Sequence, residues 1–189
     1  MKMTTKRLAL SILCIVITAC AGPTINSLHD PEALSNIARY QTYVWQPHPV
    51  GTDTRVNPAV GPLVVGAADE TLAAKGYRLA AAGTSDFVIA WHVTIEAKQQ
   101  VSEIDVTPSA RAPGGRFPGG SPMPYQTVPL TREFNEGTLI LEIAEGPTQR
   151  VVWRGWAQAE IQKTVEPAER EKRIRETVRK ILDELPTKR

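Results

Sequence analysis

The sequence predicts a single α+β domain, built as a mainly antiparallel sheet of about four strands with two helices packed on one face. Two hydrophobic periods support this prediction. Three segments alternate apolar and polar residues with a period of two, as half-buried strands do, and two segments repeat apolar residues every three or four positions, as helices do. The 189 residues leave room for one ordinary domain with its own core.

The first half of the predicted domain contains a strand, a helix and a second strand. The first strand is predicted at Tyr40–Trp45, where aromatic and β-branched residues run up to a Pro-His-Pro cluster. The helix is predicted from Gly61 to Gly76, because Pro62 suits a first helical turn and a glycine suits a helix end. The next strand is predicted at Phe87–Ala97, where every second side chain is apolar.

The second half adds two strands and a closing helix. The strands are predicted at Thr138–Ile143 and Val151–Ile161, with a hairpin turn at Gly146-Pro147 between them. The closing helix is predicted from Pro167 to Pro186. Its single apolar stripe favours packing on the sheet over binding to a partner helix.

A segment rich in glycine and proline interrupts these elements between residues 102 and 131. It has too few periodic apolar residues to pack a core, and we expect it to form a disordered loop. A functional insertion is the alternative. In that case Arg111, Arg116, Phe117 and Tyr125 are the residues to test first for partner contact.

Residues 1–19 have the features of an export signal. Lys2, Lys6 and Arg7 precede a short apolar run, Leu8–Ile17. Ten residues are too few to cross a bilayer, which takes about 20. A positive start, a short apolar run and small residues at the exit are typical of a signal peptide.

The four residues Ile17-Thr18-Ala19-Cys20 resemble the lipobox of bacterial lipoproteins. The resemblance implies that Cys20 receives a diacylglycerol thioether and that its freed amine is acylated after cleavage. Several acyl chains on one residue give stable membrane anchoring. Alanine rather than aspartate at position 21 favours the outer membrane over the inner membrane. Residues 20–38 are then predicted to be a lipidated tether, and residues 39–186 the folded domain.

Charge and cysteine content narrow the possibilities further. Three of the 22 basic residues precede Cys20 and all 20 acidic residues follow it, so the exported chain carries a net charge of −1. A chain so balanced has no overall attraction to nucleic acid. Cys14 leaves with the signal and Cys20 carries lipid, so no disulfide is expected.

Several motifs occur in a familiar order along the mature chain. They are YQTYVW, LAAKGYR, SDFVIAWHV, GTLILEI, VVWRGWA and a final ILDELP. In this order and spacing, over about residues 28–186, they resemble the bacterial lipoprotein family called domain of unknown function 4136. The resemblance implies a lipoprotein and carries no established activity, cofactor or catalytic residue. The Gly- and Pro-rich segment is where this chain departs most from the family.

The residues capable of chemistry are scattered. The three histidines, His29, His48 and His92, have no second ligand at metal-binding spacing, so we expect neither a metal nor a cofactor. On the last strand, Arg154 and Trp156 either stack on a glycan or a partner, or pair across strands. Gly155 between them indicates a bulge or a close backbone approach.

These observations predict a non-enzymatic, lipid-anchored module on the periplasmic face of the outer membrane, which binds another envelope protein or a glycan. Its membrane contact is Cys20. The candidate residues for partner contact are Arg116, Phe117, Tyr125, Arg154 and Trp156. The alternative is an envelope-acting hydrolase whose site is built from His92, Glu96 and Glu142.

Overall fold

The computed structural model describes residues 22–29, 31–47, 56–81, 85–106, 126–162 and 164–187. Within these residues the chain forms six strands and three helices. In chain order they are β1 (Thr24–His29), α1 (Pro31–Ile37), β2 (Thr42–Trp45), α2 (Val60–Ala74), β3 (Arg78–Leu79), β4 (Phe87–Val106), β5 (Gln126–Glu145), β6 (Val151–Glu160) and α3 (Pro167–Asp183). None of the described helices has the length and apolar character needed to span a membrane.

The strands form one sheet in the order β1-β6-β5-β4-β2-β3. The pairs β1–β6, β6–β5 and β5–β4 are antiparallel, whereas β2 runs parallel to both β4 and β3. The predicted fold class was therefore wrong in strand number, helix number and direction. The fifteen-residue α2 explains the direction, because a helical crossover returns the chain to the end of the sheet where β2 began.

The segment predicted as a tether, residues 20–38, contains two of the missed elements. β1 pairs along its whole length with β6, from Thr24 opposite Gln158 to His29 opposite Trp153. Its sequence is mostly polar because it is an edge strand with one apolar contact, Ile25, on the core. Helix α1 is seven residues long, too short for a periodic signal, yet its Ile37 is fully buried.

The central hairpin is much longer than its apolar pattern indicates. β4 and β5 are each 20 residues long and pair without interruption from Phe87 opposite Glu145 to Val106 opposite Gln126. Residues 102–106 and 126–131 therefore belong to strands, and the predicted loop was wrong at both ends. Residues 107–125 lie outside the described residues.

The apolar core lies between the helices and one face of the sheet. The strands contribute side chains at odd positions, such as Phe87, Leu141 and Trp153, each 1% exposed or less. The helices contribute Leu72 and Ile181, which are also fully buried. The turn at 146–148 between β5 and β6 is confirmed, with Gln149 in the left-handed region at φ 57°.

A carboxylate of α2, that of Asp69, accepts hydrogen bonds from two side chains of β2. Asp69 Oδ1 accepts hydrogen bonds from Tyr43 Oη at 2.7 Å and from Trp45 Nε1 at 2.9 Å. Burial, followed by this hydrogen bond, raises the pKa of Tyr43. A four-residue strand has few backbone bonds of its own, so this contact fixes where β2 lies against α2.

Side chains just after α2 donate hydrogen bonds to backbone carbonyls that follow α3. Tyr77 is 1% exposed, and the single proton of its Oη is shared between two backbone carbonyls, that of Pro186 at 3.0 Å and that of Ile37 at 3.3 Å. Burial raises the pKa of Tyr77 to about 12. Lys75 Nζ donates to the carbonyl of Leu185 at 2.7 Å, so a second side chain caps the residues that follow α3.

The close approach predicted at Gly155 is confirmed. A Cβ placed there would lie 2.5 Å from the indole of Trp153 and 2.6 Å from Ile181 Cγ2. Both neighbours are at most 1% exposed, so neither can move freely. The register of β6 against β5 shifts near Val152 instead, between Ile143 and Ala144 of β5.

Gly155→Ala should destabilise the protein by about 1–3 kcal/mol, because the added methyl overfills the packing of α3 on β6. Urea unfolding followed by circular dichroism measures this. Gly66→Ala in α2 is the control, since nothing lies within 4 Å of its Cβ position. It should stabilise the helix by about 0.5–1 kcal/mol. Equal stability of Gly155→Ala and the wild type would contradict the packing described.

Stability should also fall at alkaline pH. Tyr43 and Tyr77 both have a raised pKa in the folded state, so the unfolded chain loses its phenolic protons first. The contribution of these two tyrosines to the free energy of unfolding should be fully present below pH about 10 and should fall from there to pH about 12, by up to about 1.4 kcal/mol per pH unit for each tyrosine. Urea unfolding across this range measures the slope. Tyr77→Phe should reduce it, and an unchanged slope in that variant would contradict the assignment.

Candidate functional site

The face of the sheet opposite the helices is the candidate site. We call it the open face, and define it by the even-numbered positions of β4, β5 and β6 within the sheet body. Its central rows are Ala90–Glu142–Arg154, His92–Ile140–Trp156 and Thr94–Thr138–Gln158. The period of two places these side chains on one surface while their odd-numbered neighbours enter the core.

Glu142 is the centre of a charged cluster on this face. Its Oε2 lies 3.3 Å from His92 Nε2, and its Oε1 accepts a hydrogen bond from Arg154 Nε at 2.5 Å. The Glu142 side chain is 17% exposed, whereas those of His92 and Arg154 are about half exposed. Nε and Nη2 of Arg154 both contact this one oxygen, so the cluster joins three strands to one another as well as presenting charge.

Apolar side chains lie directly beside this cluster. Ile140 is the cross-strand neighbour of both His92 and Trp156, and Trp156 in turn lies opposite Asn26 of β1. Ile140 and Trp156 are half-buried. The open face therefore presents an indole and an aliphatic side chain between hydrogen-bonding groups.

An acidic row crosses the sheet further along. Glu96, Glu136 and Glu160 are in register on three neighbouring strands. Lys98 Nζ lies 3.3 Å from Glu96 and 3.2 Å from Glu136, and Arg132 pairs with Glu160. The hydrogen bonds to Glu136 and Glu96 raise the pKa of Lys98. This row is internally neutralised in part, and each cation bridges strands.

The residues proposed for a hydrolytic site separate into two groups. His92 and Glu142 are brought together, but Glu96 lies two rows away and pairs with Lys98. Among the described residues, no group of three or more His, Cys, Asp or Glu side chains is arranged to hold a metal ion.

The clefts of the described chain lie away from this face. One of about 410 Å³ separates α2 from α3 and is lined by charged side chains that include Glu70, Arg175 and Asp183. Another of about 400 Å³ lies at the end of the sheet beside Tyr40 and Glu145, whose side chains are hydrogen-bonded at 3.1 Å. The lining of neither cleft includes His92, Glu96 or Glu142.

Of the residues predicted for partner contact, the structure places two. Arg154 and Trp156 both point to the open face, where Arg154 is paired across strands with Glu142. Cys20, Arg116, Phe117 and Tyr125 lie outside the described residues, as does Arg111.

A second exposed surface, which the sequence did not predict, extends beyond the sheet body. Beyond the rows that pair with β6, residues 97–106 of β4 and 126–135 of β5 form a two-stranded ladder, which we call the ribbon. At its base Asn135 also accepts a backbone hydrogen bond from Ile161 at 2.8 Å. Its exposed apolar side chains are Val101 (65%), Ile104 (42%), Val128 (41%) and Leu130 (53%). Val128 and Leu130, two residues apart, were a weak signal for a strand, but the surrounding glycines and prolines obscured it.

A six-stranded mixed sheet with helices packed on one side and an open opposite face defines a two-layer domain that contains both α and β structure. The chain belongs to the family described as Domain of unknown function (DUF4136), which matches residues 26–187. The family resemblance seen in the motifs is thereby confirmed. No curated protein matches the sequence.

Solved structures with a similar fold share little sequence with this chain. A PDZ domain protein from Parabacteroides distasonis has 10% identity and a TM-score of 0.54 over 89% of this chain, which spans only 37% of that protein. Two structures of the PelC dodecamer from Paraburkholderia phytofirmans have 16% identity and a TM-score of 0.48, over 88% of this chain and 98% and 99% of theirs. The likeness to the PDZ domain protein is one of fold alone.

Proposed function

We propose that this protein is a non-enzymatic lipoprotein, anchored through Cys20 to the periplasmic face of the outer membrane, whose open face binds another envelope component. The observation that carries the proposal is the open face itself, where Trp156 and Ile140 lie beside a neutralised cluster around Glu142. The family does not specify a role, so the proposal depends on the residues.

The composition of the open face suits recognition of another surface. Tryptophan and arginine are the side chains that most often dominate binding energy at interfaces. Here Arg154 and Trp156 lie two residues apart on the same face of β6. Because Glu142 already holds Arg154 in place, little side-chain entropy remains to be lost when a partner binds.

The anchor and the domain are close together along the chain. β1 begins at Thr24, four residues after Cys20, and such a segment spans at most about 14 Å. The N-terminal positive residues, the apolar run and the lipobox support the anchor. A lipid-bound Cys20 would thus hold the sheet close to the bilayer surface.

A hydrolase acting on the envelope is the second candidate, and one contact favours it. His92 Nε2 lies 3.3 Å from Glu142, and a histidine oriented by a carboxylate is part of many catalytic pairs. In this chain the same carboxylate is also engaged by Arg154. The pair of His92 and Glu142 is therefore also part of the contacts that join β4, β5 and β6.

Replacing Cys20 with serine should prevent lipidation, because a hydroxyl is not the thiol that receives the diacylglycerol group. Cells fed radiolabelled palmitate should incorporate label into the wild type and not into Cys20→Ser, which should accumulate as uncleaved precursor. Cys14→Ser is the matched control and should label normally. Mass spectrometry of a mature wild-type chain with an unmodified Cys20 would refute the anchor.

A photo-reactive phenylalanine derivative at position 156 should crosslink to the partner in intact envelopes. The same derivative at Lys172, exposed on α3, is the control and should give no such product. Arg154→Glu should abolish the crosslink at 156, since it removes the cation and repels Glu142. Absence of any specific crosslink at 156, together with hydrolysis of envelope material by the purified protein that is lost in His92→Ala, would establish the hydrolase instead.

A further inference from the structure

The ribbon projects from the end of the sheet at which the chain enters it. Thr24, Gln158, Thr138 and Thr94 form one row across β1, β6, β5 and β4. Because β1 runs antiparallel to β6, the residues before Thr24 leave the row in the same direction as the ribbon does. A lipid on Cys20 would therefore place the bilayer at the ribbon end of the domain.

The ribbon is longer than the segment that links Cys20 to the sheet. From Cys20 to Thr24 the chain reaches at most about 14 Å. The ribbon continues for ten residues per strand beyond the sheet body, which is about 33 Å at the rise of a β-strand. If this short segment holds the domain at the bilayer, a ribbon that points toward the bilayer must contact the bilayer.

The ribbon cannot insert into the hydrocarbon core of the bilayer. Along residues 97–106 and 128–134 the backbone ladder pairs each of these two strands with the other strand alone, among the described residues. The outer edges then present backbone N–H and C=O groups, which hydrocarbon does not solvate. The ribbon is therefore restricted to the interfacial layer, where water and headgroups satisfy these edges.

The two faces of the ribbon differ in charge. On the even-numbered face Ile104 lies directly opposite Val128, with Leu130 beside them, and all three are at least 41% exposed. The charged side chains on this face are Lys98 and Arg132, and both already pair with carboxylates of the acidic row at the base of the ribbon. Beyond them, toward Val106, the described even-numbered positions carry no charged side chain.

The odd-numbered face carries Val101 but also Glu103 and Glu133. Carboxylates next to phosphates and acyl chains are unfavourable, so this face is the one directed to water. Two-stranded ribbons twist more strongly than wide sheets, so the even face of the ribbon turns out of the plane of the open face along its length.

We infer that the even-numbered face of the ribbon, centred on Ile104, Val128 and Leu130, lies on the phospholipid surface to which Cys20 is anchored. The inference rests on the anchor in the proposed function and adds a second membrane contact to it. Two contacts at one end of the sheet fix the orientation of the domain, so that the open face is held at a constant angle to the bilayer.

The test uses the lipidated protein reconstituted into vesicles of phosphatidylethanolamine and phosphatidylglycerol. Since the mature chain has no cysteine except Cys20, a cysteine introduced at Ile104 is the single thiol available for an environment-sensitive fluorophore. Its emission should shift to the blue and be quenched by lipids that carry a nitroxide near the headgroup. The same label at Thr148, in the turn at the opposite end of the sheet, should respond to neither.

Charge substitutions identify the face. With the label at Ile104, the double variant Val128→Glu and Leu130→Glu should lose the blue shift and the quenching. Val101→Glu is the matched control on the odd-numbered face and should retain both. All these side chains are solvent-exposed in the described structure, and circular dichroism verifies that each variant is folded.

The outcomes separate this inference from the proposed function. Vesicles that float with a lipidated protein whose label at Ile104 behaves like that at Thr148 overturn the ribbon contact and leave the anchor intact. A label that responds in native envelopes and not in protein-free vesicles also overturns it, in favour of a macromolecular partner. A mature chain without lipid on Cys20 refutes the anchor and the ribbon contact together.

Discussion

The uninterrupted pairing of β4 with β5 is the interaction on which the rest of this structure depends. Twenty residue pairs hold two strands in one register, from Phe87 opposite Glu145 to Val106 opposite Gln126. The period of two then assigns every side chain of both strands to one of two faces, which in the sheet body are the core and the open face. The core, the open face and the ribbon are successive parts of this one ladder.

The parallel half of the sheet is attached by side chains rather than by a long ladder. β2 makes three residue pairs with β4 and two with β3. Asp69 supplements these by accepting hydrogen bonds from Tyr43 and Trp45, which ties β2 to the helix above it. A partly buried carboxylate in such a position helps to determine where the crossover helix lies, because both donors, Tyr43 Oη and Trp45 Nε1, find their partner on it.

The elements that the sequence predicts correctly are those with one buried face. The alternation after Phe87 and the stripe of α3 arise because each contacts the core on one side. β1, β3 and the ribbon were missed for the opposite reason. An edge strand, or a ribbon with two exposed faces, needs no apolar period, and Pro129 within β5 is tolerated where no third strand requires its N–H. The contact between His92 and Glu142 depends on the register of β4 against β5, which cannot be predicted from the apolar pattern alone.

The direction of β1 determines which end of the sheet the proposed anchor at Cys20 would hold. If the first strand ran the other way, a lipid on Cys20 would hold the opposite end of the sheet and the ribbon would extend into the periplasm. The observed register puts the start of β1 toward the ribbon end of the sheet, with the acidic row of Glu96, Glu136 and Glu160 between the ribbon and Trp156. If Cys20 is lipid-bound as proposed, a partner that reaches Trp156 from the bilayer must pass this row, which favours groups that hydrogen-bond with carboxylates and disfavours anionic ones.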